Sequence, residues 1–253
     1  MPAQVLFLLA ETLSLTLTDQ GQGRPYLLLH GGAGPDSLRS LAAALAATNR
    51  AVLPTHPGFA GTARPEWLHT IAGLATTYLA LLERLDLREV VVVGNSVGGW
   101  VAAEIGLRRS PRVAHLVLLD AVGLPPTPAS GPITDPTRLA PAERAAYAFH
   151  DPARYALAPA SPAAAAAMAA NQRTLAVYGG QPYMHDPALP ARLPAMPVPS
   201  TILWGESDRI VTPAYGRQFA NLLPDARFEL VPAAGHFPQL EQPDFVLAKL
   251  RGL

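Results

Sequence analysis

From Tyr26 to Asp120 the chain repeats one rhythm, a short run of consecutive apolar residues followed by a stretch of helical length. The short runs, residues 26–29, 51–54, 90–93 and 113–119, are too continuously apolar for half-exposed strands and read as strands buried on both faces. The intervening residues 37–47, 67–85 and 97–109 read as helices. Strands and helices that alternate in this way predict a parallel sheet covered by helices on both sides. Ahead of them, Val5–Ala10 and Leu13–Thr18 pair as two strands of an opening hairpin.

The rhythm breaks after Asp120. Residues 125–199 hold 15 of the 27 prolines, a density that interrupts regular sheet and helix. Ala163–Ala170, nearly all alanine, still reads as a helix. The earlier pattern resumes with a strand over Thr201–Trp204. A loop follows, with Thr212 as helix N-cap and Pro213 at the first helical position, and then a strand over Arg227–Val231. The chain thus divides into a core of residues 1–122 and 196–253 and a small helical insertion of residues 123–195.

Chemistry concentrates where strands end. Val90–Val93 runs into Gly94-Asn95-Ser96-Val97-Gly98-Gly99 and then a helix-compatible stretch. A strand that turns sharply into a helix holds its corner residue in a strained conformation, and the flanking positions come so close that only glycine fits. Ser96 is the corner, a candidate nucleophile whose neighbour Val97 offers a backbone N–H at the helix N-terminus to developing negative charge. A serine needs a base, and the base an orienting acid. Asp208 and His236 both follow predicted strands, where an open parallel sheet collects its ligand site. The glycine-rich turn His30-Gly31-Gly32-Ala33-Gly34 can aim a second N–H at the same point; Gly32 is the first choice and Ala33 the alternative. Asp120, at the end of another strand, competes with Asp208 for the acid role.

Composition narrows the classes. The chain has 253 residues and no cysteine, which excludes thiol nucleophiles, disulfides and thiolate metal sites. Lys+Arg and Asp+Glu balance at 19 each, so no basic field recruits nucleic acid or an anionic membrane. No carboxylate/His cluster has metal-ligand spacing, and no dinucleotide fingerprint is complete. The expectations are no metal, no cofactor, no targeting segment, a cytoplasmic monomer or homodimer, and a small-molecule substrate.

His30-Gly31-Gly32, His56-Pro57-Gly58-Phe59, Gly94–Gly99, Gly205-Glu206-Ser207-Asp208 and Gly235-His236-Phe237, in this order, resemble the α/β-hydrolase superfamily over most of the chain. The resemblance implies a mostly parallel, twisted sheet of about eight strands with helices on both faces and a small helical cap at the insertion. It also implies a serine hydrolase with Ser96, Asp208 and His236 as triad; the Gly-x-x-Asp loop favours Asp208 over Asp120. Within the superfamily the chain looks most like small bacterial esterases and hydrolases that cleave ring-fission products at a carbon–carbon bond. In the latter a serine commonly stands at the position of Gly32 and a tryptophan at that of Phe237. Haloalkane dehalogenases need an aspartate at Ser96, which excludes that reaction. The expected substrate is a small, largely apolar ester, thioester or lactone. Trp100, Tyr178, Tyr183 and Phe237 are the candidate contacts, and Arg173 is the candidate cation if the substrate carries a carboxylate. A non-catalytic small-molecule binding protein on the same fold is the alternative from another class.

Overall fold

The computed structural model describes residues 4–8, 13–155 and 161–253. Its sheet runs β1 (Gln4–Leu8), β2 (Leu13–Gln20), β4 (Arg50–Pro54), β3 (Pro25–Leu29), β5 (Val90–Asn95), β6 (Val113–Leu119), β7 (Ser200–Gly205) and β8 (Ala226–Val231) from edge to edge. β1–β2 and β2–β4 pair antiparallel and every later pair is parallel. The mostly parallel sheet is present, as is the expected hairpin over its described residues; residues 9 and 10 of its first strand lie outside them.

Side-chain alternation along these strands builds two cores. Leu27, Leu29, Val90, Val92, Leu116, Leu118, Ile202 and Trp204 face one side, packed against α2 (Ile71–Arg84), α3 (Val97–Leu107) and α8 (Pro213–Leu222). Tyr26, Leu28, Val91, Val93, Val117, Leu119 and Leu203 face the other, packed against α1 (Asp36–Leu45) and α10 (Pro243–Arg251). Val90–Val93 are buried throughout, and full burial of each such side chain stabilises by about 1.5–3 kcal/mol. That is why four β-branched residues in a row make the central strand.

Three helix boundaries differ from the sequence reading by two or more residues, and the first helix ends at Leu45 rather than residue 47. The second helix begins at Ile71 rather than residue 67, because the Thr70 side chain accepts from Gly73 N–H and caps it there. The third ends at Leu107 rather than 109, because Arg109 turns left-handed at φ 54°.

β6 and β7 are direct neighbours, in register from Leu116↔Ser200 to Leu119↔Leu203. The proline-rich segment between them is therefore an excursion from the sheet. It carries α4 (Pro141–Ala148), α5 (Pro152–Tyr155), α6 (Pro162–Gly179) and α7 (Leu189–Arg192). Its far end is pinned to the core. Buried Glu104 on α3 pairs with Arg192, which also meets Asp186 at 3.0 Å, while Arg108 Nη1 holds the same Glu104 at 2.9 Å.

Candidate active site

The strand-to-helix corner after β5 has the predicted strain. Ser96 sits at φ 56°, ψ −119°, a region that non-glycine residues seldom occupy. A Cβ on Gly94 would lie 2.1 Å from the carbonyl oxygen of Gly98, and one on Gly98 would lie 2.1 Å from that of Leu29. Backbone therefore fills the space on both sides of the corner, and glycine is the residue type that fits.

The turn after β3 packs directly on this corner, since a Cβ on Gly31 would come within 2.9 Å of Ser96 Cβ. Gly32 is the next residue along. Val97 opens α3, so its N–H lies among the first four of the helix, which have no intrahelical acceptor. Two buried histidines brace the turn. His30 Nε2 accepts from His56 N–H at 3.0 Å, which leaves Nδ1 to donate to Gly31 O at 2.8 Å. His56 Nε2 donates to His30 O at 2.8 Å, and its Nδ1 meets the Tyr78 hydroxyl. Every ring nitrogen is satisfied with both imidazoles neutral. Burial holds both below the usual histidine range, His56 at about 4.

Asp208 and His236 meet. His236 Nδ1 lies 2.8 Å from Asp208 Oδ2, and both residues are buried. Asp208 Oδ1 accepts from Ile210 N at 2.8 Å and Val211 N at 3.1 Å, so the carboxylate also shapes its own loop. With Nδ1 turned to the carboxylate, Nε2 is the nitrogen left for another partner. The His236 loop is then tied across β6 to β5, because Asn95 Nδ2 donates to His236 O at 3.1 Å and to Leu119 O at 3.2 Å. That contact brings the loop of His236 to the residue immediately before Ser96.

Three supporting residues escaped the sequence reading. Asn95 ends the all-valine strand with a polar side chain, a signal that was available. Gln239 donates to Asn95 Oδ1 at 3.3 Å. Glu241 gathers Asp151 N at 2.9 Å and His150 N at 3.2 Å, and Gly235 N at 2.6 Å, which fastens the His236 loop to the insertion. Nothing in the local pattern announces the last two.

Of the expected contacts, Phe237 stacks on Phe149 of the insertion, with ring centroids 5.2 Å apart. Tyr178 donates its hydroxyl to Pro57 O at 3.0 Å, so that group is committed to the protein. Tyr183 packs beside the Asp135 carboxylate inside the insertion. The buried Trp100 lies against Gly123, and its indole N–H has no partner among the described residues. α6 faces the two loops with Asn171, Thr174, Leu175 and Tyr178, spaced one helical turn apart. Arg173 is exposed. Asp120, the rival acid, does not bond to His236; its Oδ1 accepts from Gly205 N at 2.8 Å.

A strained serine at a strand–helix corner, beside a buried carboxylate–imidazole pair at the carboxyl edge of such a sheet, defines a hydrolase architecture. The family model described as "Alpha/beta hydrolase family" matches residues 26–249, and the chain belongs to that family. It is similar to the 2-hydroxy-6-oxo-2,4-heptadienoate hydrolase of Pseudomonas putida F1, at 35% identity over 46% of this chain and 44% of the relative. It is also similar to the 2-hydroxy-6-oxo-6-(2'-aminophenyl)hexa-2,4-dienoic acid hydrolase of Metapseudomonas resinovorans, at 27% identity over 92% of this chain and 84% of the relative. The match to the first of these spans less than half of that relative's length. Among solved structures, a thermophilic esterase from Thermogutta terrifontis superimposes with TM-score 0.74 at 23% identity, covering 100% of this chain and 97% of the other; this likeness is one of fold. Among the described residues no helix is long and apolar enough to cross a membrane.

Proposed function

We propose that the protein is a serine hydrolase that cleaves a small, largely apolar ester, thioester or lactone through an acyl-enzyme on Ser96. The observation that carries this reading is the backbone of Ser96, at φ 56° between two glycines on which a Cβ would lie 2.1 Å from a backbone oxygen. Strain of that kind persists at positions that do chemistry.

Ser96 Oγ attacks the substrate carbonyl while His236 Nε2 takes its proton. Asp208 keeps the imidazole in the Nδ1–H tautomer and stabilises the imidazolium that forms. The N–H groups of Val97 and Gly32 hold the oxyanion, worth about 3–4 kcal/mol for each well-aimed donor. Imidazolium returns the proton to the leaving alkoxide or thiolate; the alcohol or thiol departs from an ester or thioester, whereas the hydroxyl freed from a lactone stays on the acyl chain. Water, deprotonated by His236, then attacks the acyl-enzyme and releases the acid and the serine hydroxyl. No step calls for a metal or cofactor.

Residues 123–195 act as the lid over this site. Leu175 stands over Gly32, and the neighbouring Thr174 and Asn171 are uncharged, which supports a short, apolar acyl group. Cleavage of a carbon–carbon bond in a ring-fission product is the second reading, favoured by the names of the relatives. It wants a cation for the substrate carboxylate. Arg173 lies on the outer face of α6, two residues from Leu175 and turned to solvent, which supports the ester reading over this one.

Turnover of p-nitrophenyl esters of graded acyl length tests the proposal. It expects a burst of nitrophenol stoichiometric with enzyme and the highest kcat/KM for short acyl chains. Absence of any ester turnover, with turnover of a vinylogous diketone acid instead, would replace it by the second reading.

A further inference from the structure

Asp120 is a carboxyl group the proposed mechanism does not use, yet it lies at the centre of the site. One side-chain atom from each of Asp120, Asp208 and His236 lies within 4.8 Å of the others, and all three residues are buried. Asp120 Oδ1 accepts from Gly205 N at 2.8 Å, while Oδ2 is buried without a donor among the described residues. The side chain within hydrogen-bonding reach of it is Asp208, itself an acceptor whose oxygens already take Ile210 N, Val211 N and His236 Nδ1. Two ionised carboxylates in that position would repel each other. A single proton on Asp120 Oδ2 turns the repulsion into an O–H···O⁻ hydrogen bond and satisfies the orphaned oxygen.

We propose that Asp120 is a protonated carboxylic acid at neutral pH that donates to Asp208, making it a positioning residue for the Asp208–His236 pair. The inference rests on the triad reading given above. Asp208, not Asp120, carries the charge, because Asp208 has the two backbone N–H donors and the imidazole, whereas Asp120 has one backbone donor. The other charged groups facing Asp120 act in the same sense. Asp208 and Glu241 are both acids, and together with burial they push the Asp120 carboxyl well above the ordinary carboxylate range. The donated hydrogen bond in turn stabilises Asp208 as an anion and fixes the oxygen that His236 Nδ1 uses.

Asn is the isostere of a protonated Asp, with an N–H donor for Asp208 and a carbonyl acceptor for Gly205 N–H. The test compares Asp120→Ala and Asp120→Asn by ester turnover across pH, with Asp208→Asn as reference. Infrared spectra of the wild-type and Asp120→Asn proteins at pH 7 provide a readout that does not need activity.

Asp120→Ala is expected to lower kcat roughly 10- to 100-fold and to raise the acid limb of the kcat/KM profile, since an unassisted Asp208 binds the imidazolium more tightly. Asp120→Asn is expected to restore most of the rate and the wild-type acid limb. The wild-type spectrum is expected to contain a buried carboxylic-acid carbonyl band that Asp120→Asn lacks. If Asp120→Asn instead lowers the acid limb, as loss of a negative charge beside His236 would, or if the acid band is missing, Asp120 is ionised and the proposal is overturned. Equal rates and profiles for all Asp120 variants would overturn it too. Near-wild-type activity of Asp208→Asn would sink the triad reading itself, which separates the two failures.

Discussion

Leu175 lies so close over Gly32 that a Cβ on the glycine would come within 2.5 Å of its Cδ2. The first residue belongs to the excursion between β6 and β7, the second to the turn proposed to offer an N–H to the oxyanion. The contact joins the proline-rich insertion to the turn beside Ser96, and under the proposed mechanism one leucine side chain would limit the room beside the carbonyl carbon.

Leu175→Ala should therefore shift the preferred acyl chain toward longer esters, with kcat/KM for a hexanoate rising relative to an acetate. Gly32→Ser should lower turnover of all esters, because its side chain displaces Leu175. The double variant should recover part of that loss. An unchanged chain-length profile in Leu175→Ala would remove α6 from the acyl pocket.

The corner glycines make a prediction about folding. Gly94→Ala and Gly98→Ala each place a Cβ 2.1 Å from a carbonyl oxygen of the backbone, which cannot move aside as a side chain can. Both should destabilise by more than about 4 kcal/mol or fail to yield soluble protein. Gly131 is the control: its φ is positive, at 69°, and a Cβ there meets nothing within 4 Å. Gly131→Ala should cost only the left-handed penalty, about 1–2 kcal/mol by urea denaturation.

The buried histidine pair predicts an acid-sensitive fold. His56 is neutral when folded down to about pH 4, whereas the unfolded chain protonates it near the ordinary histidine value of about 6.5. Below 6.5 the unfolded state binds more protons, so stability falls as pH falls, and His30 adds in the same direction. His56 alone should cost about 2 kcal/mol between pH 7.5 and pH 5. Urea midpoints at the two pH values check this. A midpoint that does not fall toward pH 5 would mean the pair can accept a proton when folded.

Asp208→Asn should lose roughly 10³- to 10⁴-fold in kcat by turning the imidazole to the wrong tautomer. Wild-type kcat/KM should not change when chelators are added, because no step of the proposed reaction uses a metal. Activity abolished by a chelator and restored by a divalent ion would contradict a metal-free triad.

The parts legible in the sequence are those written in neighbouring residues. Val90–Val93 followed by Gly94-x-Ser96-x-Gly98 specifies a buried strand, a sharp corner and a helix because each residue type answers a local steric demand. The loop positions of Asp208 and His236 were legible for the same reason. What was not legible depends on strands brought together by the whole sheet. The approach of Asp120 to Asp208 requires β6 and β7 to pair across the insertion, and Glu241 acts on Gly235, His150 and Asp151 from two directions. The early start assigned to the second helix failed for a smaller reason. Pro65, Trp67 and Leu68 continue the apolar pattern, but the Thr70 cap wins.

Covalent labelling of the wild-type protein and of Ser96→Ala with a fluorophosphonate, read by intact mass and peptide mapping, tests the central claim most directly. The account predicts one adduct per chain, located on Ser96, with loss of esterase activity in step with labelling. It predicts no adduct on a folded Ser96→Ala protein. An adduct on another residue, or ester turnover by Ser96→Ala at the wild-type rate, would contradict it.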